Sequence, residues 1–434
     1  MHPVSRLLFL VTIAAAFSAR AENRIDAIRP DAPELAAYGQ YAIGVRTLKL
    51  TNPGQIEMTS LDPKAARPDP LPRHDRVLTV EVWYPAAPGA HGETALKAFI
   101  RDGKTEVSLH GKAFRDAAPA KETFPLVILS HGFPGNRYLM SPLAENIASK
   151  GYIVVSIDHA DSTYDSVSHD TPQRSFASTL VNRSPDQLFV LGQVAKLSHD
   201  PASFLNGRVD AGNTAIIGYS MGGYGSLITA GAGLAHKSVA ATVDDTFWSA
   251  PFGTLAIHEA GNRTHERSFD PRVKTVIAFA PAGWSAGLFD ADSVKSIKVP
   301  VLFIAGSLDD VVKYDGGIRD TWQAASGSYR ALLTFENAGH NAGAPMPAPR
   351  EAYDIDPDRG VTSADHYLDP VWDNVRMNNI AEHFATAWLG RYLKGDRAMD
   401  AYFDLAPTSN GNDWKGFPDK KGRGLRFEKL SAGD

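Results

Sequence analysis

One ten-residue run constrains this chain more than any other. Thr214-Ala-Ile-Ile-Gly-Tyr-Ser-Met-Gly-Gly223 reads as a short apolar strand running straight into Gly218-x-Ser220-x-Gly222. A serine on so sharp a strand-to-helix turn carries a strained backbone, and a side chain two residues before or after it would collide with its neighbours. Glycine at both places meets that demand, and Ser220 is predicted to stand exposed above a sheet edge. A second match, Gly283-Trp-Ser285-Ala-Gly287, also follows an apolar run, but Pro281 interrupts it and no helical stripe comes after. Beyond Ser220 the small residues of Met-Gly-Gly-Tyr-Gly-Ser allow a helix to pack closely and point its N-terminus at the site. Ser220, not Ser285, is therefore the candidate nucleophile.

The chain has 434 residues, 43% of them hydrophobic, enough for a sizeable core. A formal charge of −5 without any long run of Lys or Arg gives no footprint for nucleic acid or an anionic membrane surface. Residues 1–21 read as an export signal: Arg6, the apolar run Leu7 to Phe17, and Ala19-Arg20-Ala21 as a small-x-small cleavage site. The run is shorter than a bilayer span requires, so no stable membrane anchor is expected and the mature chain would begin at Glu22. The absence of cysteine removes disulfides, thiolate chemistry and Cys-based zinc sites. A periplasmic or secreted protein is the expectation.

Two extended runs, Tyr41 to Leu50 and Arg76 to Tyr84, read as leading antiparallel strands. Phe124 to Leu129, a helical pattern from Leu139 to Lys150, and Tyr152 to Ile157 form a βαβ unit. A helix near Pro185 to Leu197 precedes the Thr214 strand, and further strands are expected at Val273 to Phe279, Val299 to Ala305 and Ala331 to Phe335. An amphipathic helix from about Val375 to Leu393 closes the domain at Gly395. The class is α/β, with a mostly parallel central sheet and helices on both faces. The catalytic domain is expected over 22–395 and a C-terminal extension, packed or loose, over 396–434. Two segments are longer than compact connections need, and such insertions can serve as lids. One, about 236–270, carries Phe247, Trp248, Phe252, Leu255 and Ile257, which either line an acyl or aryl pocket or form a satellite core. The other runs from Ala344 to Asp373.

An activated serine needs a base within hydrogen-bond reach and a third group to orient that base. His340, in Glu336-Asn-Ala-Gly-His-Asn341, lies just beyond the last strand, whereas His258, His265 and His366 fall in the insertions. The acid should lie at the end of a strand between serine and histidine. Val301-Leu-Phe-Ile-Ala-Gly-Ser-Leu-Asp309-Asp310 supplies Asp309, with Asp310 as the alternative. Oxyanion donors are expected from the amide of Met221 and from Phe133 in Ser130-His-Gly-Phe-Pro-Gly135. His131 precedes the serine and is not a triad candidate.

These residues resemble the α/β-hydrolase branch that holds platelet-activating-factor acetylhydrolases, dienelactone-hydrolase-like proteins and polyester-degrading cutinases. The resemblance runs from about Val77 to Gly395. It is carried by Val82-Trp-Tyr-Pro85, Ser130-His-Gly-Phe133, Leu143 to Tyr152, Ile157-Asp-His159 and Gly218-Tyr-Ser-Met-Gly-Gly223. It implies an α/β-hydrolase fold and a serine esterase in which Ser220 attacks and Phe133 and Met221 hold the oxyanion. The substrate would be a small-molecule, lipid or polyester ester, with no metal or organic cofactor implied. The acetylhydrolases carry their acid one strand earlier, where this chain reads Phe279-Ala-Pro-Ala-Gly283; Asp309 resembles the cutinase arrangement instead. Dienelactone hydrolases use a cysteine this chain lacks. A serine peptidase or amidase, and a non-catalytic binding protein on the same scaffold, stand as alternatives.

Overall fold

The computed structural model describes residues 22–167, 171–357, 360–418 and 422–434; the expected leader at 1–21 lies outside them. In chain order the strands are β1 (Asn23–Arg24), β2 (Ile43–Ile56), β3 (Arg73–Pro85), β4 (Ala95–Phe99), β5 (Glu106–His110), β6 (Ala113–Arg115) and β7 (Phe124–Ser130). They continue as β8 (Ile153–Asp158), β9 (Val209–Tyr219), β10 (Val273–Phe279), β11 (Val301–Gly306), β12 (Arg330–Phe335) and β13 (Leu425–Leu430). The helices are α1 (Ser141–Ser149), α2 (Pro172–Leu197), α3 (Met221–Thr229), α4 (His236–Ala240), α5 (Arg263–Ser268), α6 (Ala291–Val294), α7 (Arg319–Ala324) and α8 (Asn374–Leu393).

Ten strands form one sheet in the order β13-β12-β11-β10-β9-β7-β8-β3-β2-β6. The block from β12 to β8 is parallel, and its near-continuous apolar runs are buried because helices cover both faces. α2 packs with α3 on one face, α1 with α8 on the other. β7 lies between β8 and β9, so the chain leaves β7 to one side and returns on the other. The crevice that this reversal opens at the C-terminal strand ends is where open α/β sheets place their sites. Ser130, the last residue of β7, pairs with Gly218 of β9, and Gly218 with Ala278 of β10. This is the α/β-hydrolase architecture. A small three-stranded sheet, β1-β5-β4, stands beside it.

One helix differs from expectation, and the open choice between a packed and a loose C-terminal extension is decided. α2 begins at Pro172, well before Pro185, and runs through that proline. Pro185 has no amide to give the Val181 carbonyl, a loss that ordinarily breaks a helix. Here the buried His258 ring, from the insertion, donates from Nε2 to Val181 O at 2.7 Å and satisfies it. The C-terminal extension is also not loose: β13 pairs antiparallel with β12 along its whole length and closes the sheet edge.

Five histidines, His131, His159, His258, His265 and His383, are buried, and burial lowers His265 below the usual imidazole range. Burial holds His159 and His383 down to about 3, His258 to about 4, and His131 well below the usual imidazole range. Burial pushes three carboxyls the other way, Glu145 to about 7, Glu382 to about 8, and Asp158 upward despite its Arg137 partner. Below pH 6.5 the unfolded chain protonates the histidines that the folded chain keeps neutral, so acidification removes stability. The raised carboxyls are protonated in the folded state first, so they oppose the loss. With five groups against three, net uptake on unfolding near pH 5.5 is about two protons, or ~3 kcal/mol of stability lost per pH unit. Urea unfolding followed by tryptophan fluorescence should show a midpoint that falls from pH 7 to pH 5; a flat or rising midpoint would contradict this assignment.

Candidate active site

β9 delivers Ser220 at φ 54° and ψ −115°, a conformation that non-glycine residues adopt at a cost. The turn admits only glycine on either side. A Cβ on Gly218 would stand 2.2 Å from the Gly222 carbonyl oxygen, and one on Gly222 only 1.9 Å from that of Ser130. Backbone on three sides holds the strained residue: Ser220 N donates to Phe279 O at 2.9 Å, and Ser220 O accepts from Tyr224 N at 3.0 Å and Ala282 N at 3.2 Å.

The structure brings Ser220, His340 and Asp309 together. His340 Nδ1 donates to Asp309 Oδ2 at 2.8 Å, since a carboxylate can only accept. That leaves Nε2 as the acceptor for the Ser220 hydroxyl, 3.0 Å away. Asp309 is buried, and its other oxygen accepts from the amides of Val311 and Val312, both at 3.0 Å. The carboxylate therefore has one free direction, toward the imidazole. The Tyr219 ring lies against His340 at 5.2 Å, and its hydroxyl donates to Asn341 Oδ1 at 2.8 Å. Asp310 is exposed on the cleft wall, and the imidazole pairs with Asp309 instead. Ser285 lies apart from the site and donates to Val312 O at 2.8 Å.

The amides proposed as oxyanion donors flank this serine. Met221 is the first residue of α3, where helix amides lack internal acceptors, and Phe133 lines the same cleft as Ser220. Neither amide meets an acceptor among the described residues. The cleft holds about 480 Å³. Its far wall comes from the segment between Ala344 and Asp373, through Asp365, His366, Leu368, Asp369 and Val371. Asp369 Oδ2 fixes the histidine loop by accepting from Gly339 N at 2.7 Å. The insertion at 236–270 lies behind the cleft: Phe247 and Trp248 clasp Phe176, and Phe176 in turn meets the Phe133 ring at 5.1 Å. Of the insertion's apolar residues Leu255 is buried and Trp248, Phe252 and Ile257 pack against the core, as a satellite core requires, while Phe247 is largely exposed; none of them is in the described lining of the cleft. His258 and His265 are buried within the insertion, and His366 packs against Tyr164 and Tyr367 on the cleft wall.

Sequence reasoning missed a polar cluster beneath the site. Ser130 Oγ donates to His159 Nε2 at 2.8 Å, and His159 Nδ1 donates to Asp186 Oδ2 at 2.9 Å. This second serine, histidine and aspartate are buried beyond reach of any substrate. Arg76 clamps Asp186 with bonds of 2.9 and 3.0 Å, and although burial opposes it, this ion pair holds the carboxyl down at about 2. The Ser130-His-Gly-Phe133 and Ile157-Asp-His159 motifs carried the sequence signal for two members of the cluster.

A family model described as PETase, PET hydrolase-like, matches residues 110–256, about a third of the chain; the match includes Phe133, Ser220 and Met221 and ends before Asp309 and His340. No curated protein matches. Among solved structures, a ferulic acid esterase from Streptomyces cinnamoneus superimposes with a TM-score of 0.52 at 19% identity, covering 88% of this chain and 96% of that one. With this sheet order, this elbow and this structural likeness, the chain has the α/β-hydrolase fold.

Proposed function

We propose that the protein is an exported serine esterase that cleaves carboxylic esters through an acyl-enzyme. One observation carries the reading: the hydrogen-bonded series Ser220, His340, Asp309 opens on a cleft beside two unengaged amides. His340 Nε2 takes the Ser220 proton as Oγ attacks the ester carbonyl. The oxyanion rests on the Phe133 and Met221 amides, and Asp309 stabilises the imidazolium without taking its proton. The imidazolium then protonates the leaving alcohol, and a water activated by His340 releases the acyl group.

The cleft walls favour neutral esters with apolar groups. Leu308, Val311 and Val371 stand more than half exposed at the rim, and the described lining includes three aspartates, Asp310, Asp365 and Asp369, but no Lys or Arg. The matched family and the structural neighbour are named a hydrolase and an esterase, which supports the same chemistry. Residues 1–21 would be removed on export, leaving the enzyme periplasmic or secreted.

On nitrophenyl esters, Ser220→Ala should abolish nearly all turnover and fluorophosphonate labelling, while Ser285→Ala keeps most of both; the reverse pattern would overturn the nucleophile. Asp309→Asn should lower kcat by roughly 10⁴-fold. Asp310→Asn should cost less than about tenfold, because that side chain does not reach the imidazole. A large loss at Asp310 with a small one at Asp309 would transfer the role.

A further inference from the structure

The peptide joining Gly132 to Phe133 is trans, so its carbonyl and its amide point opposite ways. The amide side is the proposed oxyanion donor. The carbonyl side is held by two buried donors: His131 Nδ1 at 2.7 Å and Arg183 Nη2, from α2, also at 2.7 Å. His131 is kept in that tautomer because its Nε2 accepts from the amide of His159 at 3.2 Å.

Arg183 is the unusual member. It is buried, and its Nε and Nη1 meet no acceptor among the described residues. Its stem is clamped by α3, since a Cβ on Gly225 would stand 2.6 Å from the Arg183 Cβ. Burial, only partly offset by Asp186, lowers its guanidinium to about 9. A buried cation this poorly paired destabilises a fold. Its hydrogen bond to the Gly132 carbonyl is charge-assisted. Drawing electron density toward that oxygen makes the N–H of the same peptide a stronger donor, while two donors on one carbonyl fix the peptide plane.

We infer that Arg183, together with His131, is a positioning residue for the oxyanion hole: through the Gly132 carbonyl it aims and polarises the Phe133 amide toward the developing negative charge. The inference rests on Ser220 being the nucleophile and adds a residue that never touches substrate.

The test compares an oxygen ester with its thionoester in full-length mature enzyme. A thionoester places the developing charge on a larger, weaker acceptor, sulfur, which gains little from amide donors. Arg183→Met should lower kcat on the oxygen ester by ~10- to ~100-fold, less than deleting a donor outright, with KM changed less than about threefold. Thionoester turnover should fall by less than about threefold, so the oxygen-to-thiono ratio collapses. Arg183→Lys, whose shorter stem keeps the charge but stops short of the carbonyl, should lower the ratio by a smaller amount; it carries the test if the methionine variant does not fold. Equal losses on both esters, or an unchanged ratio in the variant that folds, would overturn the inference and leave Arg183 a structural residue. Failure of the underlying reading looks different: Ser220→Ala would then retain turnover on both esters.

Discussion

The carbonyl oxygen of Ser130 occupies the space where a side chain at position 222 would begin. That close approach of α3 to the end of β7 is the contact on which the site depends. It requires glycine at 222, and it brings the first amide of α3 and the loop after β7 to the same crevice. The two proposed oxyanion donors thus come from segments 88 residues apart that the backbone contact alone puts side by side. Gly132 extends the same logic, since a Cβ there would sit 3.3 Å from the Tyr219 ring and 3.4 Å from the Ser220 Cβ.

Such a site stores unfavourable energy. Ser220 at positive φ costs of order 1–3 kcal/mol, and a buried, half-partnered arginine adds to that. The register of β7, β9 and β10 over-determines the geometry enough to hold it, because each strand is fixed on both edges by fully buried neighbours. The same dependence on distant support appears in α2. That helix carries Arg183 only two residues before Pro185, and it stays helical through the proline because His258 satisfies the carbonyl freed at Val181. The insertion thus contributes to the site from behind, through the helix that carries Arg183 and through the aromatic contacts on Phe133.

What could be read from the sequence was local. The elbow, the parallel strands and the turn after Ala305 each announce themselves within about ten residues, through glycine spacing and apolar runs. The full span of α2 was hidden because Pro185 is a stop signal whose cancellation comes from a residue 73 positions later. β13 carried a readable signal, the alternation in Leu425-Arg-Phe-Glu-Lys-Leu430, masked by the polarity of the segment around it. Arg183 and Asp186 were not legible at all: charged residues in a helix are ordinarily solvated, and nothing in their spacing says that this turn faces inward. The far cleft wall fell in a segment expected as a lid, but its role as lining depends on side-chain placement that no periodicity encodes.

The position of Asp309, the proposed acid, follows from the same packing. After β10 the chain reads Ala280-Pro-Ala-Gly283, and this turn is already committed to the elbow. Ala282 N holds the Ser220 carbonyl, and Pro281 lies so near α3 that a Cβ on Gly223 would stand 3.0 Å from it. A carboxylate there would displace backbone that keeps Ser220 in place. The exit of β11 is different. A Cβ on Gly306 would come within 2.2 Å of Gly339 O and 2.3 Å of Ala338 O, and Leu308 N donates to Ala338 O at 2.9 Å. The two loops therefore touch backbone to backbone. Three residues past Gly306 in one loop and one past Gly339 in the other stand Asp309 and His340, 2.8 Å apart. The glycine at 306 brings Asp309 and His340 together just as those at 218 and 222 present Ser220, so the proposed triad is set by three backbone approaches that side chains would forbid.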